Sequence, residues 1–199
     1  MSVTPTPNKI KYGLKNVYYA VATLAADGTA TFATPVRIPG AVNLSLEPQG
    51  DREPFYADDV EYFVSISNTG YEGDLEIALV PESFETDVLK AVEDTNKVLF
   101  EEVSPEIIHF ALLFQFAGDK KNIRHCFYNC TAMRPNVEGE TKGENIEPKT
   151  ESLSLRAGSI YDATLQKDIV KAKTKADTTD AVYNAWFNQV IVPGVTITP

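Results

Sequence analysis

Apolar side chains recur at every second position in several short stretches of this chain. The clearest run begins at His109, where Phe110, Leu112, Phe114 and Phe116 share one parity and His109, Ala111, Leu113 and Gln115 share the other. Successive strand side chains point to opposite faces, so one face is wholly apolar and the other mixed. Gly118, Asp119 and Asn122 are turn formers. The segment beyond them is rich in aromatic and β-branched residues, which favour strands. These features predict a central antiparallel hairpin over residues 109–132. Its apolar face is expected on the core and its mixed face turned outward.

The same alternation marks other strands. Val17, Tyr19 and Val21 define one over residues 15–23, and a turn at Ala26, Asp27, Gly28 and Thr29 leads to a second candidate over 31–37. Val42, Leu44 and Leu46 alternate with polar neighbours, as do Leu75, Ile77 and Leu79. In 60–67, Val60, Tyr62, Val64 and Ile66 share a face. Turn residues from Asn68 to Gly73 suggest that 60–67 and 74–79 form a second hairpin. Leu153 and Leu155 return to alternation within 149–156.

After Pro81 the period changes. Phe84, Val88, Leu89 and Val92 lie at i, i+4, i+5 and i+8, which predicts a helix over 82–92. Glu82, Glu85 and Asp87 suit the positive end of its dipole. A shorter helix is expected within 179–189, capped by Thr179 or Asp180 and burying Val182, Tyr183 and Trp186. Residues 95–105 read as a connection, 135–148 as an exposed loop, and 162–177 as charged and weakly patterned. The fold class is therefore mainly β with some α. One domain is expected over 14–192, between a flexible arm at 1–13 and an extended tail at 193–199.

One stretch fits no period. Residues 47–59 hold two prolines, a glycine and five acidic side chains. A connection of that length exceeds the usual 2–6 residues and is often functional or mobile. Glu47, Pro48, Gln49, Gly50, Asp51, Arg52, Glu53, Pro54, Phe55 and Tyr56 are the candidate partner-contacting residues. Exposed aromatics among charges mark such surfaces, although a loop folded back on its own domain has the same sequence.

Composition narrows the function. With 43% apolar and 23% charged residues the chain is globular rather than disordered. A net charge of −10 argues against stable phosphate binding and against docking on an anionic membrane. The opening MSVTPTPNKIKYG has no apolar signal core, and no apolar run approaches the roughly 18 residues of a membrane span. A soluble protein made inside the cell is expected. On one strand, Cys126 and Cys130 would share a face about 13 Å apart, too far for a disulfide.

Candidate chemistry is sparse. His109 and His125 sit within the central hairpin, but His125 and Cys126 are neighbours and point apart, unlike a closed zinc site. The chain lacks a G-x-S-x-G elbow and a glycine-rich phosphate loop. No catalytic residue, metal ligand or cofactor is assigned.

Several strings taken together carry a family likeness. TPVRIPGAVNLSLEPQGDREPFYADD, NTGYEGDLEIALVPESF, HFALLFQFAGDKKNIRHCFYNCTAMRP, EPKTESLSLRA and YNAWFNQV resemble the phi13-type major tail proteins of long-tailed bacteriophages, in the same order and at similar spacing. The resemblance implies a β-sandwich or barrel of the tail tube type with a flanking helix. It implies subunits joined in hexameric rings and stacked into a tube around a tape measure protein. Tail initiator, distal tail and terminator proteins would meet the ends, and DNA would pass through transiently into a Gram-positive host. The protein would reside in the virion tail after assembly in the host cytoplasm. The mixed face of the central hairpin would then meet a neighbour or the lumen, and 47–59 would reach the next ring. The alternatives are a monomeric β-sandwich binding module, such as an adhesin or carbohydrate reader, and another head or tail component.

Overall fold

A computed structural model of the chain describes residues 6–139, 141, 149–195 and 197. Half of it is strand, with two short helices. In chain order the elements are β1 (Lys11–Leu24), β2 (Ala30–Phe32), β3 (Val36–Ile38), β4 (Ala41–Gln49), β5 (Arg52–Ala57), β6 (Val60–Ile66), β7 (Gly70–Ile77), α1 (Glu82–Asp87), β8 (Val92–Glu93) and β9 (Leu99–Phe100). They continue with β10 (His109–Gly118), β11 (Ile123–Ala132), β12 (Glu151–Gly158), β13 (Ile160–Asp162), β14 (Lys167–Ile169), β15 (Lys171–Lys173) and α2 (Asp180–Ala185).

Nine strands form one antiparallel sheet in the order β2-β1-β10-β11-β12-β7-β4, with β3 also on β1 and β15 also on β11. β1 and β4 are five places apart in that order yet touch, so the sheet curls over on itself. The concave side holds the first core, built from Tyr19, Ile38, Leu75, Phe110, Leu112 and Leu153 among others. Helix α1 closes this core with Phe84, whose ring meets Tyr19 and Phe110 edge-on at 5.1 and 5.5 Å.

The central hairpin is β10 and β11, within the 109–132 expected. Its mixed face does not look outward. Ala111, Leu113 and Gln115 are buried, because the C-terminal segment lies across them. Trp186 and Val190 build a second core there with Ala20, Cys126, Tyr128 and Ile160. The chain past Val190 is packed as well, and the Tyr128 hydroxyl donates to the Ile191 carbonyl at 2.7 Å.

Helix α1 starts at Glu82 as expected but ends at Asp87 rather than at residue 92. Lys90 takes a left-handed φ of 59°, and the Ala91 N–H returns to the Glu85 carbonyl. Val92 is half-exposed in β8, paired with β9 inside the supposed connection. The candidate strand at 31–37 is two pieces, β2 and β3, each on the outer edge of β1. β14 and β15 lie in the weakly patterned 162–177.

β1 begins at Lys11, inside the arm assigned to 1–13, and Asn8 accepts from the Lys120 and Lys121 N–H groups. Residues 1–5 of that arm, 140 and 142–148 of the loop, and 196, 198 and 199 of the tail lie outside the described residues.

Candidate assembly surface

The stretch 47–59 is not an irregular connection. Glu47, Pro48 and Gln49 finish β4, opposite Glu72, Tyr71 and Gly70 of β7. Gly50 and Asp51 carry the chain onward, and Arg52, Glu53, Pro54, Phe55 and Tyr56 lie in β5. The strand β6 does not pair with β7, as the second expected hairpin required. It pairs with β5 across Asp58 and Asp59, whose φ values of 52° and 60° suit a two-residue type I′ turn.

The ladder is nearly continuous from sheet to tip. The Thr69 N–H reaches the Gln49 carbonyl and the Ser67 N–H the Asp51 carbonyl, both at 2.9 Å. One long ribbon therefore runs from Ala41 to Ile77, its lower half within the sheet and its upper half projecting as an arm. Gly50 marks the narrow passage between them, since a Cβ there would lie 2.0 Å from the Ser67 carbonyl oxygen.

The arm has no substantial contact with any other element. Phe55 sits opposite Phe63 and shares its face, while Tyr56 points to the other side. All three are exposed, with Tyr62 at 74% and Ile66 at 76%. A two-stranded ribbon on its own is marginally stable in water. Its exposed Arg52–Glu61 ion pair, 2.8 Å long, adds little.

Sequence reasoning named the residues of β5 as candidate contacts without seeing a strand there, and read 60–67 as a strand without placing Val60, Tyr62, Phe63 and Ile66 on the contact surface. The available signal was Phe63, an apolar ring on the parity it shares with Glu61 and Ser65.

The root of the arm opens onto a polar sheet face. Glu72, Asp74 and Glu76 of β7 point away from the core, beside Ser152, Ser154 and Arg156 of β12 and Asn43, Ser45 and Glu47 of β4. Ser154 Oγ donates to Asp74 at 2.7 Å and Thr150 Oγ1 to Glu76 at 2.6 Å.

The histidines and cysteines serve packing. The His125 ring stacks on Phe114 at 5.1 Å. Burial, with Lys11, Lys171 and Lys173 nearby, lowers its pKa to about 4. His109 Nδ1 lies 2.6 Å from the Asn129 side-chain oxygen.

Cys126 and Cys130 do not share a face, contrary to the simple strand count. Between the pairs Phe110–Cys130 and Leu112–Phe127, β11 carries one residue more than β10, and this bulge inverts the alternation. Cys126 faces the second core and Cys130 the first. Both are free and buried, and burial pushes both thiols up, Cys130 to about 12. Thiolate chemistry is disfavoured at both. Among the described residues, no cluster of three or more His, Cys, Asp or Glu is arranged to hold a metal. No helix among them is long and apolar enough to cross a membrane.

Comparison with known families matches residues 6–104 to the phage tail tube proteins. That span covers β1 to β9 and includes the whole arm. No curated protein matches the chain. Over residues 6–104 the chain belongs to the phage tail tube protein family, and it is a structural component of a phage tail.

Proposed function

We propose that copies of this chain close into rings, six to a ring, and that the rings stack into the tail tube with the β5–β6 arm bridging one ring to the next. The carrying observation is the arm itself, an apolar ribbon exposed on both faces with no substantial contact to its own domain. Such a ribbon left in water is an invitation to association. Apolar residues on both faces suit insertion between neighbours better than flat contact with a sugar or a cell surface, which favours assembly over the binding-module reading. The tape measure protein fills the lumen, and initiator, distal tail and terminator proteins meet the ends. Assembly takes place in the host cytoplasm, and DNA later passes through the finished tube.

The face of β4, β7 and β12 bearing Glu47, Glu72, Asp74 and Glu76 is the proposed lumen lining. It is polar and rich in carboxylates, and it would repel phosphates and let DNA slide.

Replacing residues 52–66 with a two-residue turn tests the arm. The shortened chain is expected to fold with an unchanged melting temperature and to form no tubes by negative-stain microscopy. Tubes of normal length from the shortened chain would overturn the reading.

A further inference from the structure

Where the first core opens to solvent beside the root of the arm, its aromatic rings are only partly covered. Leu44 and Leu46 of β4 line a shallow groove together with Tyr71, Phe116 and Phe127. The enclosed space is about 170 Å³, room for a single ring rather than for a large ligand.

Lys11 and Lys171 line it, and Lys173 stands close by. Lys11 Nζ lies 4.9 Å from the Phe116 ring centroid and Lys171 Nζ lies 4.3 Å from that of Tyr71. Lys173 stands opposite His125 in the β11–β15 ladder. None of the three has an ion-pair partner among the described residues. In a chain of net charge −10 this is a local excess of unpaired cations.

The arm has the complementary character. Asp51, Glu53, Asp58, Asp59 and Glu61 oppose a single cation, Arg52, which Glu61 already engages. Phe55, Tyr56, Tyr62 and Phe63 lie among these carboxylates. The arm does not fill its own groove. Leu46 and Tyr71 lie in β4 and β7, and the chain running extended from Leu46 to Ala57 holds the tip roughly 35 Å away.

We propose that this lysine-rimmed groove receives the β5–β6 arm of a second copy of the chain, with an arm aromatic seated in the cavity and the arm carboxylates set against Lys11, Lys171 and Lys173. The proposal rests on the arm-mediated assembly argued above and adds the receiving surface. Arm and groove are different surfaces, so the contact is heterologous and propagates from copy to copy instead of ending at a dimer.

Cross-linking between two differently tagged populations tests it. One carries Tyr62→Cys on the arm and the other Lys171→Cys on the groove rim. The native thiols are buried and stay silent. A short bifunctional thiol reagent is expected to join the two populations several-fold more than it joins Tyr62→Cys to Ser152→Cys, which lies on the polar face. The yield should fall several-fold in 0.5 M salt, where the Debye length drops to a few ångströms. Adding Lys11→Glu and Lys173→Glu to the acceptor should abolish the preference, and adding Glu53→Lys and Asp59→Lys to the arm should restore it. Equal yields at Lys171→Cys and Ser152→Cys, or indifference to charge reversal, would overturn the proposal. If tubes vanish without the arm while Lys171→Cys shows no preference, the groove is wrong and the arm reading stands. If tubes persist without the arm, the arm reading itself falls.

Discussion

At the scale of single residues, the clearest consequence of the packing is pH dependence at His125. Burial, with Lys11, Lys171 and Lys173 nearby, favours the neutral ring, so its folded pKa of about 4 lies below the unfolded 6.5. Between those values the unfolded chain binds a proton that the folded chain does not, so stability falls as pH drops from about 6.5 towards 4. The loss should be on the order of 1 kcal/mol after allowance for partial solvent screening. Asp27 and Asp94, whose carboxyls are held low by hydrogen bonds from Thr29 and from Val98 and Asn96, also lose stability on acidification. The test is therefore a comparison, with denaturant unfolding of the intact chain and of His125→Phe measured at pH 7 and pH 4.5. The gap between the two proteins should shift in favour of His125→Phe at the lower pH. A gap independent of pH would refute the assignment.

Elements differ in how much of them could be read from the sequence, and the differences have physical causes. β1 and β10 were legible because long strands over a core keep their parity, β11 because its aromatic and β-branched residues favour a strand despite its bulge, and the start of α1 because Phe84 and Val88 keep a helical period. The end of α1 was not, because the turn through Lys90 depends on a left-handed backbone that no glycine announced. The arm was half legible. Residues 47–56 stood out by composition, but 60–66 resembled a core strand, since apolar alternation records what could be buried and not by which chain.

The C-terminal strap was the least legible. Its strands are three residues long, and the side chains that hold it, Arg124 among them, lie on other elements. Arg124 bonds the Tyr183 carbonyl and the side chain of buried Gln115, and its guanidinium lies 3.7 Å from the Tyr183 ring centroid. Arg124→Ala should release α2 from β11 and leave Gln115 without that partner, costing about 1–3 kcal/mol. Trp186 is the only tryptophan and is the strap residue buried against the sheet, so its emission reports the detachment directly. A red shift preceding global unfolding is expected in Arg124→Ala, and a single coincident transition would count against the anchor role.

For the molecule as a whole, the decisive quantity is where its ten net negative charges lie. Net charge argues against tight phosphate binding but cannot say which surface repels. The fold separates the candidates. β7 presents Leu75 and Ile77 to the core and Glu72, Asp74 and Glu76 to the other side, flanked by serines and asparagine on β4 and β12. Among the described residues Glu72 and Asp74 stay exposed on this face, unlike Ala111, Leu113 and Gln115 of β10, which the strap conceals. A triple reversal, Glu72→Lys, Asp74→Lys and Glu76→Lys, changes no core contact, so the domain should fold and tubes should form. If this face lines the lumen, those tubes should hold a short DNA duplex at low salt, with retention falling steeply as salt rises, whereas tubes of the intact chain should not hold it. Reversal of arm carboxylates should instead impair tube formation and leave DNA retention unchanged in whatever tubes remain. Tubes of the triple variant that still exclude DNA at low salt would remove this face from the lumen and assign the acidic lining to another part of the ring.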